Sequence, residues 1–383
     1  MKKINIKLDK TEVILESGST SKLSKLIKKY NGKRVLFLYG QGSIKRNGLY
    51  DNIISQFKEN SIDYITFSGI KPNPRIEKVY EAVKLSIEKS VDFVLAVGGG
   101  SVIDSAKVIA ASILEEGDAW DYFTYKRVAK RALPLGVVLT IPATGSESNP
   151  YTVISNKDDK RSASAEVFSP KFAILDPQNT ISLPKDQTAY GLIDIFIHVA
   201  EQYFSLEDGG VLRDRFCEAV FLTTIEISPK LINNLKDEEL RMESLWAGNI
   251  ALSRFLMKGL SSSGDWATHA IEHQISAIND IAHGAGLAIV FPAWLEVVGR
   301  EKPEKILKYG KTLFNKNNLK DIVQATRDFF ESLGVKTYID DNSITKKDFP
   351  EMLNRLKGIG SYYKLSQDEI KEILSITINP KKL

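Results

Sequence analysis

The stretch Val94 to Lys107, VLAVGGGSVIDSAK, decides the fold: an apolar run ends on Gly98, Gly99, Gly100 and Ser101, and a segment of helical spacing begins at once. A buried strand turning directly into an amphipathic helix is the unit from which parallel sheets are built. Glycines let a backbone approach a ligand closely, and a helix N-terminus offers free N–H donors and a positive dipole end. The turn therefore reads as a pyrophosphate cradle. It departs from G-x-G-x-x-G, so it does not identify an ordinary Rossmann fingerprint.

Working outward, the same alternation continues. Arg34–Tyr39 is a strand that stops at Gly40-Gln41-Gly42-Ser43, and Asp51–Asn60 reads as a helix. Asp63–Phe67 is a second strand, followed by the turn Lys71-Pro72-Asn73-Pro74, where two prolines forbid regular structure. Ile76–Ser90 has helical spacing, and Leu135–Ile141 is a strand ending in the hydroxyl-rich turn Pro142-Ala143-Thr144-Gly145-Ser146-Glu147. Hydroxyls of Thr140, Thr144 and Ser146 are able to bind phosphate, ribose or a nicotinamide amide. Beyond Leu183-Pro184 helical periodicity dominates, from Thr188 to Lys371. The expected organisation is a Rossmann-like parallel α/β domain over residues 1–183 and an all-α domain over 184–383, with the active site in the cleft between them.

The chain has four histidines, His198, His269, His273 and His283. Asp194-x3-His198 and His269-x3-His273 each put two side chains on one helix face, because residues four apart lie one above the other. Both pairs sit in largely apolar segments, where a carboxylate needs a partner. A buried Asp–His hydrogen bond explains the first pair alone; the second pair and His283 favour a divalent metal. Asp with several His, and no Cys, suits Fe(II) and Zn(II) equally.

Composition narrows the class. The chain of 383 residues is 43% apolar and 26% charged with a net charge of +4, ordinary for a soluble globular protein. No basic tract argues for nucleic acid, and no apolar stretch reaches the length of a membrane span. The basic start MKKINIKLDK is followed by no apolar run, so no signal peptide is expected. The one cysteine, Cys217, excludes an intramolecular disulfide framework and fits a reducing, cytoplasmic setting.

Several stretches together resemble the iron-containing (group III) alcohol dehydrogenase family, in its NADPH-dependent, butanol dehydrogenase-like aldehyde reductase branch. They are Gly98–Ser101 with Asp104 and Lys107, LTIPATGSESN at 139–149, Leu175-Asp176-Pro177, Gly191-x2-Asp194-x3-His198-x2-Glu201-Gln202-Tyr203, Asp265–His269, and His283 with Leu287–Val290. They run in family order over roughly residues 30 to 295.

The resemblance implies that Asp194, His198, His269 and His283 hold the metal. It implies that His273 contacts substrate or relays a proton, and that Asp104 belongs to both the catalytic and the cofactor groups. Glu201, one turn beyond His198, is a candidate acceptor for the His198 imidazole. Cofactor contacts fall on Gly40, Gly42 and Ser43, on Asn73, on Gly98, Gly99, Gly100 and Ser101, on Thr140, Thr144 and Ser146, and on Lys160.

Family members specific for NAD carry an Asp where this chain has Gly40. Ser43, Lys45 and Arg46 follow it, so NADP(H) is expected. The expected reaction interconverts short- to medium-chain aldehydes and primary alcohols, and the expected assembly is a homodimer. The rivals are a dehydroquinate synthase-like lyase, a glycerol dehydrogenase-like enzyme, a nucleotide-binding metallohydrolase and a non-catalytic metal binder. The lyases use a Glu and two His, and a mere metal binder leaves the glycine turns unexplained.

Overall fold

The computed structural model describes residues 10–157, 159–205, 210–256, 264–279, 281–339 and 344–378. The reading of Met1 to Asp9 as lacking a signal peptide lies outside them. The strands are β1 (Glu12–Leu15), β2 (Arg34–Tyr39), β3 (Asp63–Phe67), β4 (Phe93–Gly98), β5 (Leu135–Leu139), β6 (Tyr151–Asn156), β7 (Asp159–Ser164) and β8 (Phe172–Leu175). Six form one sheet in the order β1-β8-β5-β4-β2-β3. Every pair in it is parallel. β6 and β7 form a separate antiparallel hairpin.

The helices around the sheet are α1 (Leu23–Lys29), α2 (Ser43–Arg46), α3 (Leu49–Glu59), α4 (Ile76–Glu88) and α5 (Gly100–Ser112). The central strands are continuous apolar runs because helices cover both faces. Alternate residues divide between two cores. Leu36, Leu38, Val94 and Ala96 pack with α4 and α5, while Val35, Phe37, Phe93 and Leu95 pack with α1 and α3. Truncating one of the wholly buried phenylalanines to Ala costs about 3–5 kcal/mol at such a site. α5 is not the amphipathic helix its spacing suggested. Val102, Ile103 and every residue from Ser105 to Ser112 are buried, because α4, β4 and β6 enclose it.

The second half is helical: α6 (Lys185–Tyr203), α7 (Gly210–Asn233), α8 (Glu238–Ala251), α9 (Ala267–Asn279), α10 (His283–Glu301), α11 (Pro303–Phe314), α12 (Leu319–Ser332), α13 (Phe349–Arg355) and α14 (Gln367–Thr377). α6 is its axis. Phe196 meets Phe221 at 4.7 Å, Phe329 at 5.4 Å and Phe330 at 5.7 Å between ring centroids. Residues 194 and 198 lie on the face turned away from Phe196.

The chain divides into two compact units, and residues 184–234 and 250–378 belong to the helical one. The stretch Leu235–Asn249, most of α8, groups with the sheet unit and so crosses the expected division at 183/184. The cause is local: Leu245 joins the sheet core, and the Asn249 amide donates to Glu147 Oε1 at 2.8 Å and Ser148 Oγ at 2.9 Å.

Candidate metal centre and cofactor turns

The helical unit brings three helices to one point. α6 supplies Asp194 and His198, α9 supplies His269 and His273, and α10 begins at His283. Asp194, His198 and His269 offer ligand atoms within 4.8 Å of one another. Asp194 Oδ1 lies 4.0 Å from His269 Nε2 and 3.7 Å from His283 Nε2.

Each of these imidazoles has its Nδ1 already placed. His198 Nδ1 meets the Asp194 carbonyl oxygen at 2.8 Å, His269 Nδ1 meets Glu201 Oε1 at 3.0 Å, and His283 Nδ1 meets Glu272 Oε2 at 2.6 Å. An acceptor on Nδ1 selects the tautomer whose Nε2 carries a lone pair. This corrects the expectation for Glu201. Its carboxylate orients His269 from across the helix pair, not His198, which its own helix already holds.

Electrostatics agree. Burial alone raises Asp194, but the imidazoles of His198, His283 and His269 outweigh it and hold the carboxyl well below the usual range. Burial, with His198 and His283 nearby, keeps His269 neutral far below ordinary histidine values. His269 Nε2 is buried without a hydrogen-bond partner, and Asp194 Oδ1 faces it at 4.0 Å while lying 3.0 Å from His198 Nδ1. Such orphans are costly unless something else engages them. Asp194, His198 and His269 form a donor set that fits a divalent transition metal, and His283, grouped with Glu272 and His273 but with its Nε2 3.7 Å from Asp194 Oδ1, is the fourth candidate ligand.

Sequence reasoning missed two neighbours. Glu272 is wholly buried and lies between the two histidines of α9. Its signal was an acid inside an apolar helical segment, HAIEHQ. Trp266 holds a left-handed backbone (φ 60°), with its ring centroid 5.3 Å from that of His269 and 6.2 Å from that of His198. A non-glycine residue keeps such a conformation only where its surroundings over-determine it. His273 stands at the margin: its ring is 5.6 Å from His283 and its side chain is 19% exposed, unlike the buried His198 and His269.

In the sheet unit, β2, β4 and β5 are parallel neighbours, so their C-terminal turns open on one edge, where ligands of open α/β sheets bind. Gly98 to Gly100 do not adopt positive φ; close packing demands them. A Cβ on Gly98 would meet Val102 at 2.6 Å, and one on Gly100 would meet Thr144 Oγ1 at 2.8 Å. The two predicted turns thus touch. Thr140 N–H donates to Gly98 O at 3.1 Å, and no side chain caps α5 at Gly99. Its first-turn amides, at Gly100 and Ser101, suit an anion.

Asp104 and Ser146 meet beneath these turns. Ser146 Oγ donates to Asp104 Oδ1 at 2.5 Å and accepts from Lys107 Nζ at 2.6 Å, while Val153 N–H donates to Asp104 Oδ2 at 2.9 Å. The single Ser146 proton is committed inside the protein, so Ser146 and Asp104 brace the turn here. Asn73, at φ 53°, accepts from Lys160 Nζ at 3.0 Å, uniting two predicted cofactor residues. Gly42, at φ 118°, opens α2. Ser43, Lys45 and Arg46 are exposed there, and Lys45 Nζ lies 4.9 Å from the Tyr50 ring and 5.5 Å from the Tyr39 ring.

The profile described as iron-containing alcohol dehydrogenase matches residues 10–177, and that of the family's C-terminal domain matches residues 188–378. The chain belongs to the iron-containing alcohol dehydrogenase family.

Among family relatives, it is 42% identical to the probable NADH-dependent butanol dehydrogenase 2 of Bacillus subtilis, covering 96% of this chain and 98% of that one. It is 38% identical to the NADPH-dependent aldehyde reductase YqhD of Escherichia coli, covering 91% and 92%. The crystal structure of NADH-dependent butanol dehydrogenase A from Thermotoga maritima superposes with a TM-score of 0.93 at 35% identity, over 99% of both chains. For this family member, then, the helical unit gathers the predicted ligands Asp194, His198, His269 and His283. The sheet unit gathers the predicted cofactor turns.

Proposed function

We propose that the chain is a metal-dependent aldehyde reductase that uses NADPH to reduce short- to medium-chain aldehydes to primary alcohols. One divalent ion, iron or zinc, would be held by Asp194, His198, His269 and His283. The observation that carries this reading is the buried, unpartnered His269 Nε2, turned to within 4.0 Å of the buried carboxylate oxygen Asp194 Oδ1.

When bound, the ion supplies Lewis-acid polarisation of the substrate carbonyl and the nicotinamide supplies hydride. The protein supplies the remainder. Asp194 stays ionised throughout the neutral range and contributes the one negative charge of the ligand set. Glu201 and Glu272 fix the rings of His269 and His283, so that the donor atoms need no reorganisation. The first-turn amides of α5 hold the pyrophosphate, with Lys160 and Asn73 as further cofactor contacts. His273, half-buried beside His283, holds the proton that the alcohol oxygen finally takes. Asp104 keeps the cofactor turns in register and takes no part in proton transfer.

The NADPH preference is supported by Gly40, which offers no carboxylate against a 2′-phosphate, and by exposed Ser43 and Arg46. Lys45 contributes less than expected, since it rests against two tyrosine rings. The names of the relatives divide between the two cofactors. A cytoplasmic homodimer is supported by the family resemblance and the single cysteine; among the described residues, no helix is long and apolar enough to cross a membrane.

The test follows the NADPH absorbance band with butyraldehyde, before and after chelation and after return of Fe(II) or Zn(II). Oxidation that a chelator stops and one metal restores is the expected result. Preference for NADH overturns the cofactor reading alone, and no oxidation of either cofactor overturns the reaction.

A further inference from the structure

The four proposed ligands are not equally enclosed. The side chains of Asp194, His198 and His269 are 4%, 6% and 9% exposed, and that of His283 is 26% exposed. His198 is held by its own helix, and His269 sits under Trp266 with Glu201 on both its ring and its backbone.

The backbone at His283 is tightly fixed. A Cβ on Gly284 would meet the Tyr190 carbonyl oxygen at 2.2 Å, and one on Gly286 would meet Glu272 Cγ at 2.8 Å. The first turn of α10 is therefore pressed against α6 and α9, with no side-chain cap at Ala282. The imidazole is the most exposed of the three ligand rings, and its orientation is held by the 2.6 Å bond from Nδ1 to buried Glu272. A charge-assisted bond of that length on a buried carboxylate is strong and directional. Losing it frees the ring to turn about its side-chain torsions into water.

We infer that Glu272 is the latch of the metal centre: it holds His283 closed, and metal leaves and enters when that bond opens. Glu272 is thus a positioning residue that sets the exchange rate of the ion. This rests on the metal-dependent reading above and adds to it which ligand opens.

The experiment loads wild type, Glu272→Gln, Glu272→Ala and Glu201→Gln with Zn(II), mixes each with excess chromophoric chelator, and records the release rate. Circular dichroism checks that each variant is folded. Gln keeps an acceptor for Nδ1–H without the charge, so Glu272→Gln should release about 10-fold faster than wild type, and Glu272→Ala about 100-fold faster. Glu201→Gln should accelerate release less than Glu272→Gln, since His269 is more enclosed than His283, at 9% against 26% side-chain exposure. Release from folded Glu272→Gln at the wild-type rate, or acceleration by Glu201→Gln as large as that by Glu272→Gln, overturns the latch while leaving the metal reading intact. A wild type that retains no stoichiometric metal overturns the metal reading itself.

Discussion

Glu201 Oε1 accepts two hydrogen bonds from a single residue, the imidazole Nδ1–H of His269 at 3.0 Å and the His269 backbone N–H at 2.9 Å. One carboxylate on α6 thus caps the first turn of α9 and sets the ligand that α9 carries. Helix docking and ligand orientation become a single event, and a helix placed wrongly leaves an imidazole turned wrongly.

Replacing Glu201 with Ala should therefore do two things at once. Loss of a capping acceptor costs about 0.5–2 kcal/mol, and loss of the imidazole's acceptor lowers metal affinity about 10- to 100-fold. Glu201→Gln keeps an oxygen acceptor and should recover most of the stability but less of the affinity. Denaturant melts of metal-free protein and a Zn(II) competition titration separate the two effects. Wild-type affinity in Glu201→Ala would show that His269 needs no such support.

A pH dependence follows from the buried acids nearby. Burial pushes Glu201 up to about 7, and burial together with the Glu201 charge pushes Asp265 up to about 7. In metal-free protein the folded state then keeps protons that the unfolded chain has released. Each group therefore makes stability fall as pH rises from the ordinary carboxylate range to about 7. Asp265→Asn removes the Asp265 share, while its Oδ1 still accepts from Tyr362 N–H, now 2.7 Å away. The stability of Asp265→Asn relative to wild type should rise between about pH 5 and about pH 8. Melts of stripped protein at both pH values check the sign, and a constant difference would mean Asp265 does not titrate in that window.

The sheet unit offers a third case. Lys107 is fully buried, and its ammonium donates to Ser146 Oγ at 2.6 Å, Asn149 Oδ1 at 3.2 Å and the Tyr151 carbonyl at 2.6 Å. These bonds tie α5 to the turn whose Thr144 touches Gly100. Lys107→Met should cost about 3 kcal/mol, because it removes the larger of the two cationic influences on buried Asp104, leaving only that of Lys160. It should also weaken NADPH binding while sparing Zn(II) affinity. Thermal melts and cofactor fluorescence titration test the two halves, and unaltered cofactor affinity would confine Lys107 to a structural part.

How much of this was legible in the sequence depended on how local the cause was. β2 and β3 stand where their sequence runs placed them, one central and one at the sheet edge, because each is a β-branched or aromatic run bounded by local turn residues. β1 and β8 went unseen: at four residues each, both are too short to show a period, and they are fixed by distant partners, β8 by β5 and β1 by β8. The three histidine ligand candidates were visible because imidazole is rare in this chain, and Asp194 because it stands four residues before His198 in an apolar segment. Glu272 was hidden, since an acid on a helix usually faces water and only the arrival of His283 gives it a role. The Asp104–Ser146–Lys107 tie was equally hidden, joining positions 42 and 39 residues apart along the chain. Glu201 was noticed but paired with the wrong histidine, because proximity along a helix was the only geometry that sequence offers.

The cofactor preference is open to a direct reversal at Gly40. A Cβ there would meet the Ile70 carbonyl oxygen at 3.4 Å and Val102 Cγ2 at 3.8 Å, both ordinary contacts, and no positive φ forbids a side chain. Gly40→Asp should therefore fold as wild type. Its carboxylate would stand at the C-terminal end of β2, where an acid accepts the ribose hydroxyls of NADH and repels the 2′-phosphate of NADPH. About 1.4 kcal/mol of differential binding is a tenfold change, and a charge repulsion in a partly enclosed turn reaches at least that size. The ratio of kcat/KM for NADPH to that for NADH should fall about 10-fold or more, chiefly through KM. A folded Gly40→Asp with an unchanged ratio would place the adenosine ribose away from this turn and remove the ground for preferring NADPH.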